Sequence, residues 1–171
     1  METKTWYTDG SCKGNPGPGG WAAVSIDNNI ARFLYGYEDH TTNNRMELQG
    51  ILELCKLAER DSLTEYIIYS DSSYCVDTIN SWMWAWAKND WKLIGKEQSV
   101  ENLDLIQPLY KYFKRPFFNV AVRKVPGHAN VLGNELADRL ACNKINEFYN
   151  MLEKNNIYRE TVEVEILPFD F

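Results

Sequence analysis

The chain has 171 residues, of which 44% are hydrophobic, and a formal net charge of -6. This length can bury one core without a disulfide or a structural metal, so we expect one compact domain. No apolar run approaches the roughly 18 residues that a membrane-spanning helix needs, which argues against a membrane role. The cysteines are widely separated and form no CxxC pair. We therefore expect a reducing, cytoplasmic setting, without a disulfide framework or a zinc ribbon.

Alternating, β-branched and aromatic residues predict five strands. They are Thr3–Thr8, Trp21–Ile26, Ile30–Tyr37, Glu65–Ser70 and Phe117–Val125. Short connections join the first three strands, which predicts an antiparallel meander. Longer connections with helical patterns precede the last two, which predicts parallel additions to the same sheet. The expected fold class is mixed α/β.

Apolar residues at helical spacing predict a helix from about Asn44 to Arg60, and a second helix should follow Asp71. A third runs from about Asn102 to Phe113, where Pro108 indicates a kink or a shorter helix. The last begins at about Gly133. Its predicted buried stripe is Ala137, Ala141, Ile145, Phe148 and Leu152.

The C-terminal end is acidic and has its own pattern. From Ile145 onward, six acids against two bases contribute -4 of the net charge. Segment Thr161–Leu167 alternates like a short strand or an extended tail. We expect residues 1–150 to form the domain and residues 151–171 to be an acidic tail, either packed on the domain or solvated.

The net charge does not exclude a nucleic-acid partner, although polyanions are usually bound by cationic surfaces. The body before Ile145 carries only -2. Between residues 111 and 124 there is no acid. That stretch contains Lys111, Lys114, Arg115, Arg123 and Lys124.

Asp9 and Asp71 each follow or end a predicted strand, and a glycine-rich turn comes directly after Asp9. If the two strands are neighbours, both carboxylates project into one crevice at the carboxyl edge of the sheet, where α/β proteins bind ligands. Alternatively, each aspartate caps a turn or a helix.

Glu47 and Asp138 are open to the same two interpretations. Asn44 followed three residues later by Glu47 fits a capping box, which would start a helix without any further function. Asp138 near the start of the last helix could stabilise the helix dipole. These structural roles leave unexplained why four acids should come from elements that pack around one sheet edge.

Four segments in order resemble the motifs of the ribonuclease H family, type 1 (ribonuclease HI). They are YTDGSCKGNPGPGGW at 7–21, TTNNRMEL at 41–48, SDSSYCV at 70–76 and VPGHANVLGNELADRLA at 125–141. The resemblance extends from about residue 3 to residue 142. It implies a ribonuclease H-like fold, with a five-stranded mixed sheet of three antiparallel and then two parallel strands and helices on both faces. It also implies that residues 1–150 form a catalytic domain.

The resemblance implies an endoribonuclease that hydrolyses the RNA strand of RNA/DNA hybrids and leaves a 3'-hydroxyl and a 5'-phosphate. It assigns metal binding and catalysis to Asp9, Glu47, Asp71 and Asp138. Without a cation, clustered carboxylates repel one another and at least one stays protonated. A donor set of oxygens without paired histidines or thiols favours two Mg²⁺ ions, with Mn²⁺ as a substitute. The resemblance also assigns His128, in a Pro-Gly-His-Ala loop, to proton transfer or product departure.

Contacts with the hybrid are implied in two regions. Short polar groups suit recognition of the 2'-hydroxyl in the minor groove, and the groove contacts are Ser11, Cys12, Gly14, Asn15, Asn43 and Asn44, with Thr42 near a DNA phosphate. The second region resembles the tryptophan-rich handle that contacts the DNA strand. Its residues are Trp82, Trp86, Lys88, Trp91, Lys92 and Lys96. Here the handle turn reads Ala87-Lys88-Asn89-Asp90, less cationic than is usual, so we expect weak binding by the handle.

Three other functions remain to be separated from this one. The chain could be a hybrid-binding module that does not cut, or the nuclease portion of a reverse transcriptase or a related enzyme. It could also be a metal-binding scaffold of unrelated purpose. The handle, the start at Met1 and the absence of polymerase sequence favour a free-standing enzyme. We expect a monomer without an obligate protein partner.

Overall fold

The computed structural model describes residues 1–126 and 131–160. In this part of the chain the strands form one sheet in the order β5-β4-β1-β2-β3-β6. They are β1 (Glu2–Cys12), β2 (Gly17–Asp27), β3 (Ile30–Thr41), β4 (Thr64–Ser70), β5 (Val120–Lys124) and β6 (Tyr158–Arg159).

The predicted meander and the predicted parallel additions are both confirmed. β1, β2 and β3 pair antiparallel, β4 lies parallel to β1, and β5 lies parallel to β4. The turn between β2 and β3 is Asn28-Asn29, and both residues have positive φ, which asparagine tolerates better than most residues. The sheet has one strand more than predicted, because β6 pairs with Ile30 and Ala31 at the free edge of β3. Two residues are too short for an alternating pattern to reveal.

Six α-helices connect or cover these strands in the described ranges. They are α1 (Asn43–Glu59), α2 (Ser73–Asp77), α3 (Met83–Lys88), α4 (Leu103–Phe113), α5 (Leu132–Ala141) and α6 (Ile145–Lys154). A π-helical turn, Thr78–Trp82, joins α2 to α3. Helix α4 continues through Pro108. Among the helices that the structure describes, none is long and apolar enough to cross a membrane.

The prediction of a single last helix is wrong, because α5 and α6 are separate helices. Residues 142–144 lie between them, and Asn143 has a left-handed φ of 61°, which ends a helix. Phe148 and Leu152 are buried as predicted, whereas Ile145 is half-buried. The apolar stripe continues across the break because both helices pack on the same side of the sheet, so periodicity alone did not reveal it.

Each face of the sheet carries its own core. On one face, α1 and α4 bury Leu48 and Ile106 against Trp6 and Ile68 of the central strands. On the other, α5 and α6 pack around β2 and β3, with Phe148 against Phe33 at a ring distance of 4.9 Å. Helices therefore cover both faces of the sheet.

The described part of the expected tail packs on the sheet. Residue 150, the expected boundary, lies inside α6, and Leu152 and Ile157 beyond it are buried. Arg32 of β3 forms an ion pair with Glu160 at 2.6 Å. Residues 161–171, which include the segment expected to alternate, lie outside the described residues.

Candidate active site

Asp9 and Asp71 lie at one edge of the sheet because their strands are neighbours. β1 and β4 run parallel, and Thr8 is paired with Ser70, so the two aspartates follow directly at the same level. β1 extends to Cys12, which places Asp9 inside a strand rather than in a turn. The helix after Asp71 is capped by Ser72, whose hydroxyl accepts a hydrogen bond from the backbone N–H of Cys75. The cap interpretation therefore fails for both aspartates.

Glu47 reaches the same place from α1. A side chain at Gly10 would meet the backbone nitrogen of Glu47 at 2.5 Å, so only glycine lets α1 lie this close to β1. Carboxylate oxygens of Asp9, Glu47 and Asp71 all lie within 4.8 Å of one another. Three acids from three elements thus converge on one point.

The capping box predicted for Glu47 is not formed. The N-cap of α1 is Thr42, whose hydroxyl accepts a hydrogen bond from the backbone N–H of Arg45 at 3.2 Å. Glu47 is the fifth residue of the helix, and its side chain is only 8% exposed. One of its carboxylate oxygens, Oε2, is buried without a hydrogen-bond partner in the structure. Such an acceptor is costly to bury unless something binds it.

Asp138 lies in the last turn of α5, not in the first. An acid near the C-terminus of a helix is disfavoured by the helix dipole, so the proposed dipole role does not explain it. Helix α5 lies close to β1 because Gly133 leaves room for the ring of Tyr7. Asp138 also pairs with Arg139 at 3.2 Å, and the thiol of Cys142 lies 3.7 Å from its Oδ1.

The carboxyl groups repel one another, and those of Asp9 and Glu47 are also poorly hydrated. Burial raises the pKa of Asp9 to about 7, and the charges of Asp71 and Asp138 add to the shift. Burial and the charges of Asp9 and Asp71 hold the pKa of Glu47 well above its ordinary value. Burial also raises the pKa of Asp71, while the nearby ammonium of Lys124 opposes the shift and Asp138 adds to it. The charge of Asp138 acts on both aspartates, which puts it beside the cluster of three.

This site fits a divalent cation. The three convergent ligand atoms are carboxylate oxygens, the donors that Mg²⁺ and Mn²⁺ prefer. The unpartnered oxygen of Glu47 and the raised pKa values are both features that a bound cation would relieve. The residues that could hold it are Asp9, Glu47 and Asp71, with Asp138 at the side.

The residues expected to contact the minor groove lie beside this cluster. Asn15, in the turn after β1, accepts a hydrogen bond through Oδ1 from the backbone N–H of Asn43 at 2.9 Å. The turn that contains Gly14 is therefore joined to the start of α1, where Asn44 is exposed. Cys12 donates its thiol proton to the carbonyl of Thr41 at 3.3 Å. The hydroxyl of Ser11 accepts a hydrogen bond from the thiol of Cys142 at 3.3 Å.

The handle residues lie on the π-helical turn, on α3 and in the loop after it. Trp82 is 42% exposed, and its ring is 6.0 Å from that of Trp86. Trp91 packs edge-on against Tyr110 of α4 at 5.3 Å, so it lies against the main hydrophobic core. The three handle lysines line one open polar groove together with two acids. They are Lys88, Lys92 and Lys96, and the acids are Asp90 and Glu97.

One predicted site residue lies outside the described residues, and two residues beside the cluster were not predicted to belong to the site. His128 lies outside the described residues. Lys124, at the end of β5, donates to the carbonyl of Asp71, and Cys142 contacts both Ser11 and Asp138. The position of Lys124 near the end of the predicted fifth strand placed it at the same sheet edge as Asp71, but the strand pattern did not specify their contact. No sequence signal marks Cys142, because its position depends on the break between α5 and α6.

Comparison with known proteins agrees with this geometry. The RNase H family model matches residues 1–146. A ribonuclease H of Caldicellulosiruptor saccharolyticus is 46% identical over 149 residues, which cover 86% of this chain and 99% of that protein. A ribonuclease H of Rickettsia typhi is 43% identical over 135 residues, which cover 79% of this chain and 86% of that protein. The crystal structure of LC9-RNase H1, described as a type 1 RNase H with the type 2 active-site motif, matches with a TM-score of 0.70 at 25% identity. The match covers 96% of this chain and 90% of that protein. The chain therefore belongs to the ribonuclease H family of endonucleases.

Proposed function

We propose that the chain hydrolyses the RNA strand of RNA/DNA hybrids at the site formed by Asp9, Glu47, Asp71 and Asp138. The observation that carries the proposal is the convergence of three carboxylates within 4.8 Å in a chain of this family. In the reaction, water adds to the phosphorus and the bond to the 3' oxygen breaks. The products are a 3'-hydroxyl and a 5'-phosphate.

Asp9, Glu47 and Asp71 would hold two Mg²⁺ ions together with Asp138, and Mn²⁺ could replace them. When bound, the ions supply activation of the attacking water and stabilisation of the charge on the leaving oxygen. The buried position of Asp9 and Glu47 keeps bulk water away from this point, which strengthens electrostatic interactions there. The resemblance to the family assigns His128 to proton transfer or product departure, and an imidazole is a side chain suited to that role.

Selection of the hybrid would come from the groove contacts. Ser11, Cys12 and Asn15 lie on β1 and the turn after it, and Asn43 and Asn44 lie in the first turn of α1. These short polar groups and the local main chain can approach 2'-hydroxyls, which distinguish RNA from DNA. Thr42 would lie near a phosphate of the DNA strand. The handle would add a contact with the same strand through Trp82, Trp86, Trp91 and the three lysines.

We further infer that the enzyme acts as a monomer in a reducing, cytoplasmic setting. All four ligands of the proposed site come from one chain, so a second copy is not needed to complete it. The four cysteines are free thiols, and two of them are buried. A reducing compartment is where unpaired thiols persist.

The decisive experiment compares three labelled substrates: an RNA/DNA hybrid, duplex RNA and duplex DNA. With Mg²⁺ we expect cleavage of the hybrid alone, at its RNA strand, and no cleavage after a chelator is added. Asp71→Asn should lower kcat by about a thousandfold, equivalent to about 4 kcal/mol of transition-state stabilisation. Because Asp71 is exposed, the variant should fold, which circular dichroism can verify.

The matched control is Asp27→Asn, which changes an exposed acid at the last residue of β2. This position is five residues beyond Ala22, the residue of β2 that pairs with Asp9. It should cleave at the rate of the unchanged protein. Equal cleavage of all three substrates, or cleavage that survives chelation, would refute the proposal. Metal-independent binding of the hybrid without turnover would instead identify a module that does not cut.

A further inference from the structure

The turn that carries Asp71 is held from two directions. Within the turn, the backbone N–H of Ser72 donates to the hydroxyl of Ser70 at 3.1 Å, and Ser72 in turn caps α2. From the neighbouring strand, the backbone N–H of Val125 donates to the carbonyl of Ser70 at 2.9 Å. These contacts fix the residues before and after Asp71.

Asp71 itself is held by Lys124. This lysine is the last residue of β5 and is paired with Ser70 in the sheet. Its ammonium donates to the backbone carbonyl of Asp71 and to the hydroxyl of Ser73, the latter at 2.9 Å. Two of the three donors of the ammonium group are thus used on acceptors that flank Ser72.

Asp71 depends on such a contact more than the other two acids of the cluster do. Asp9 and Glu47 are buried and fixed by packing of β1 against α1, whereas Asp71 is exposed. A link to the rigid end of β5 supplies the constraint that burial does not.

We propose that Lys124 is a positioning residue, which fastens the Asp71 turn to β5 so that the Asp71 carboxylate stays within reach of Asp9 and Glu47. The inference rests on the proposed function, in which Asp71 binds Mg²⁺. Residues that orient metal ligands without touching the metal typically change metal affinity by about 10- to 100-fold. Lys124 acts on the backbone of the ligand residue, so the lower end of that range applies.

Two other roles of the same ammonium make different predictions. The charge of Lys124 also opposes the raised pKa of Asp71, so Mg²⁺ binding is measured at a pH high enough to ionise Asp71 in every variant. Under that condition a cation that acted only through its charge would repel Mg²⁺, and its removal would tighten Mg²⁺ binding. A lysine that contacted a phosphate of the substrate would change the Michaelis constant for the hybrid and its salt dependence, not the affinity for Mg²⁺. Metal binding measured without nucleic acid therefore separates the three roles.

The experiment uses the full chain with Lys124→Met, which keeps the length of the side chain, and Lys124→Arg, which keeps its charge and donors. Isothermal titration calorimetry with Mg²⁺ alone should show about a tenfold higher Kd for Lys124→Met, with Lys124→Arg close to the unchanged protein. At saturating Mg²⁺, the Michaelis constant for the hybrid should not change. The control is Lys56→Met, which removes an exposed lysine whose ammonium pairs with Glu53 on α1 and should leave Mg²⁺ binding unaltered.

The proposal is overturned if folded Lys124→Met binds Mg²⁺ as tightly as the unchanged protein or more tightly. It is also overturned if the Michaelis constant rises at saturating Mg²⁺ while Mg²⁺ affinity stays the same. Failure of the proposed function has a separate signature, since the unchanged protein would then neither bind Mg²⁺ at this site nor cut the hybrid.

Discussion

Asp9 and Glu47 keep their carboxyl groups where solvent reaches less than a tenth of either residue, at 7% and 8% exposure. Repulsion between them would be relieved by separation, but the contact of β1 with α1 at Gly10 prevents it. Without a cation, the folded chain therefore retains protons on these groups that the unfolded chain loses. Folding of the metal-free protein is thus linked to pH.

The pH dependence has a definite sign for Asp9. Its pKa is about 7 in the folded chain, against an ordinary value of 3.8. The folded state therefore holds a proton that the unfolded state has released, and stability is lost as the pH rises from about 4 to 7. Asp9→Asn removes this loss and should stabilise the metal-free protein at pH 8 by about 2 kcal/mol.

Urea unfolding in chelator at pH 5 and pH 8 measures this effect. The difference in unfolding free energy between Asp9→Asn and the unchanged protein should grow from pH 5 to pH 8. Asp27→Asn should show no such growth. A difference that is constant or shrinks with pH would contradict the assigned pKa. Saturating Mg²⁺ should stabilise the unchanged protein but have a smaller effect on Asp9→Asn.

The metal-binding role of the site residues could be predicted from the four acids taken together, but not from any one of them. Thr42, not Asn44, caps α1, and the sequence Thr-x-x-Arg gives no capping box, so local rules could not show that Glu47 was free for another role. The convergence of Asp9 with Asp71 followed from parallel pairing of β1 and β4. The contact of Lys124 with Asp71 needed the register of β5, which a strand pattern does not specify.

At the scale of elements, the site depends on how closely α1 approaches β1. At Gly10, an added side chain would lie 2.5 Å from the nitrogen of Glu47 and 2.8 Å from the carbonyl carbon of Met46. Both are backbone atoms, so relief would require the whole helix to move. The helix would carry Glu47 away from Asp9.

Gly10→Ala should therefore destabilise the fold by about 2 kcal/mol and weaken Mg²⁺ binding. The matched control is Gly50→Ala, inside α1, where the nearest atom to a new side chain is the carbonyl oxygen of Ala22 at 3.6 Å. That change should be neutral or stabilising by up to about 1 kcal/mol, because alanine favours a helix over glycine. Urea unfolding and Mg²⁺ titration measure both variants. Equal behaviour of the two would show that α1 is free to shift.

The elements that sequence predicted well are those that bury several apolar residues, either at regular spacing or in a continuous run. β1 to β5, α1 and α4 have cores on a single face or on both faces, and periodicity located each of them. The break at Asn143 escaped because one residue with positive φ interrupts a helix without interrupting its apolar stripe. β6 escaped because pairing of Tyr158 and Arg159 depends on where α6 ends, which is a tertiary property.

At the scale of the whole molecule, the charge balance is unfavourable for a polyanion, so attraction has to be local. The net charge is -6, and the handle groove mixes three lysines with Asp90 and Glu97. Lys92 is already paired with Glu97 at 3.3 Å. Lys88 and Lys96 are both exposed and are the better candidates for phosphate contact.

The handle lysines can be tested through the salt dependence of hybrid binding. Changing Lys88 and Lys96 together to alanine should raise the Michaelis constant for the hybrid several-fold. In a plot of the logarithm of the Michaelis constant against the logarithm of salt concentration, the slope should fall by about 1 to 2. Lys92→Ala should have the smaller effect, because its ion pair with Glu97 competes with phosphate. Lys154→Ala, at the end of α6, serves as a control for loss of charge. An unchanged Michaelis constant and slope would exclude the handle as a DNA contact.

The hydrogen bond from Asn43 to Asn15 connects two regions that are 28 residues apart in sequence. Asn43 begins α1, and Glu47 lies four residues later in the same helix, about 6 Å along its axis. One helix therefore carries Asn43, the proposed groove contact, at its first residue and Glu47 of the candidate site one turn later. Under the proposed function, binding of the hybrid at Asn43 and alignment of Glu47 for cleavage would therefore occur together, because both residues move with the same helix.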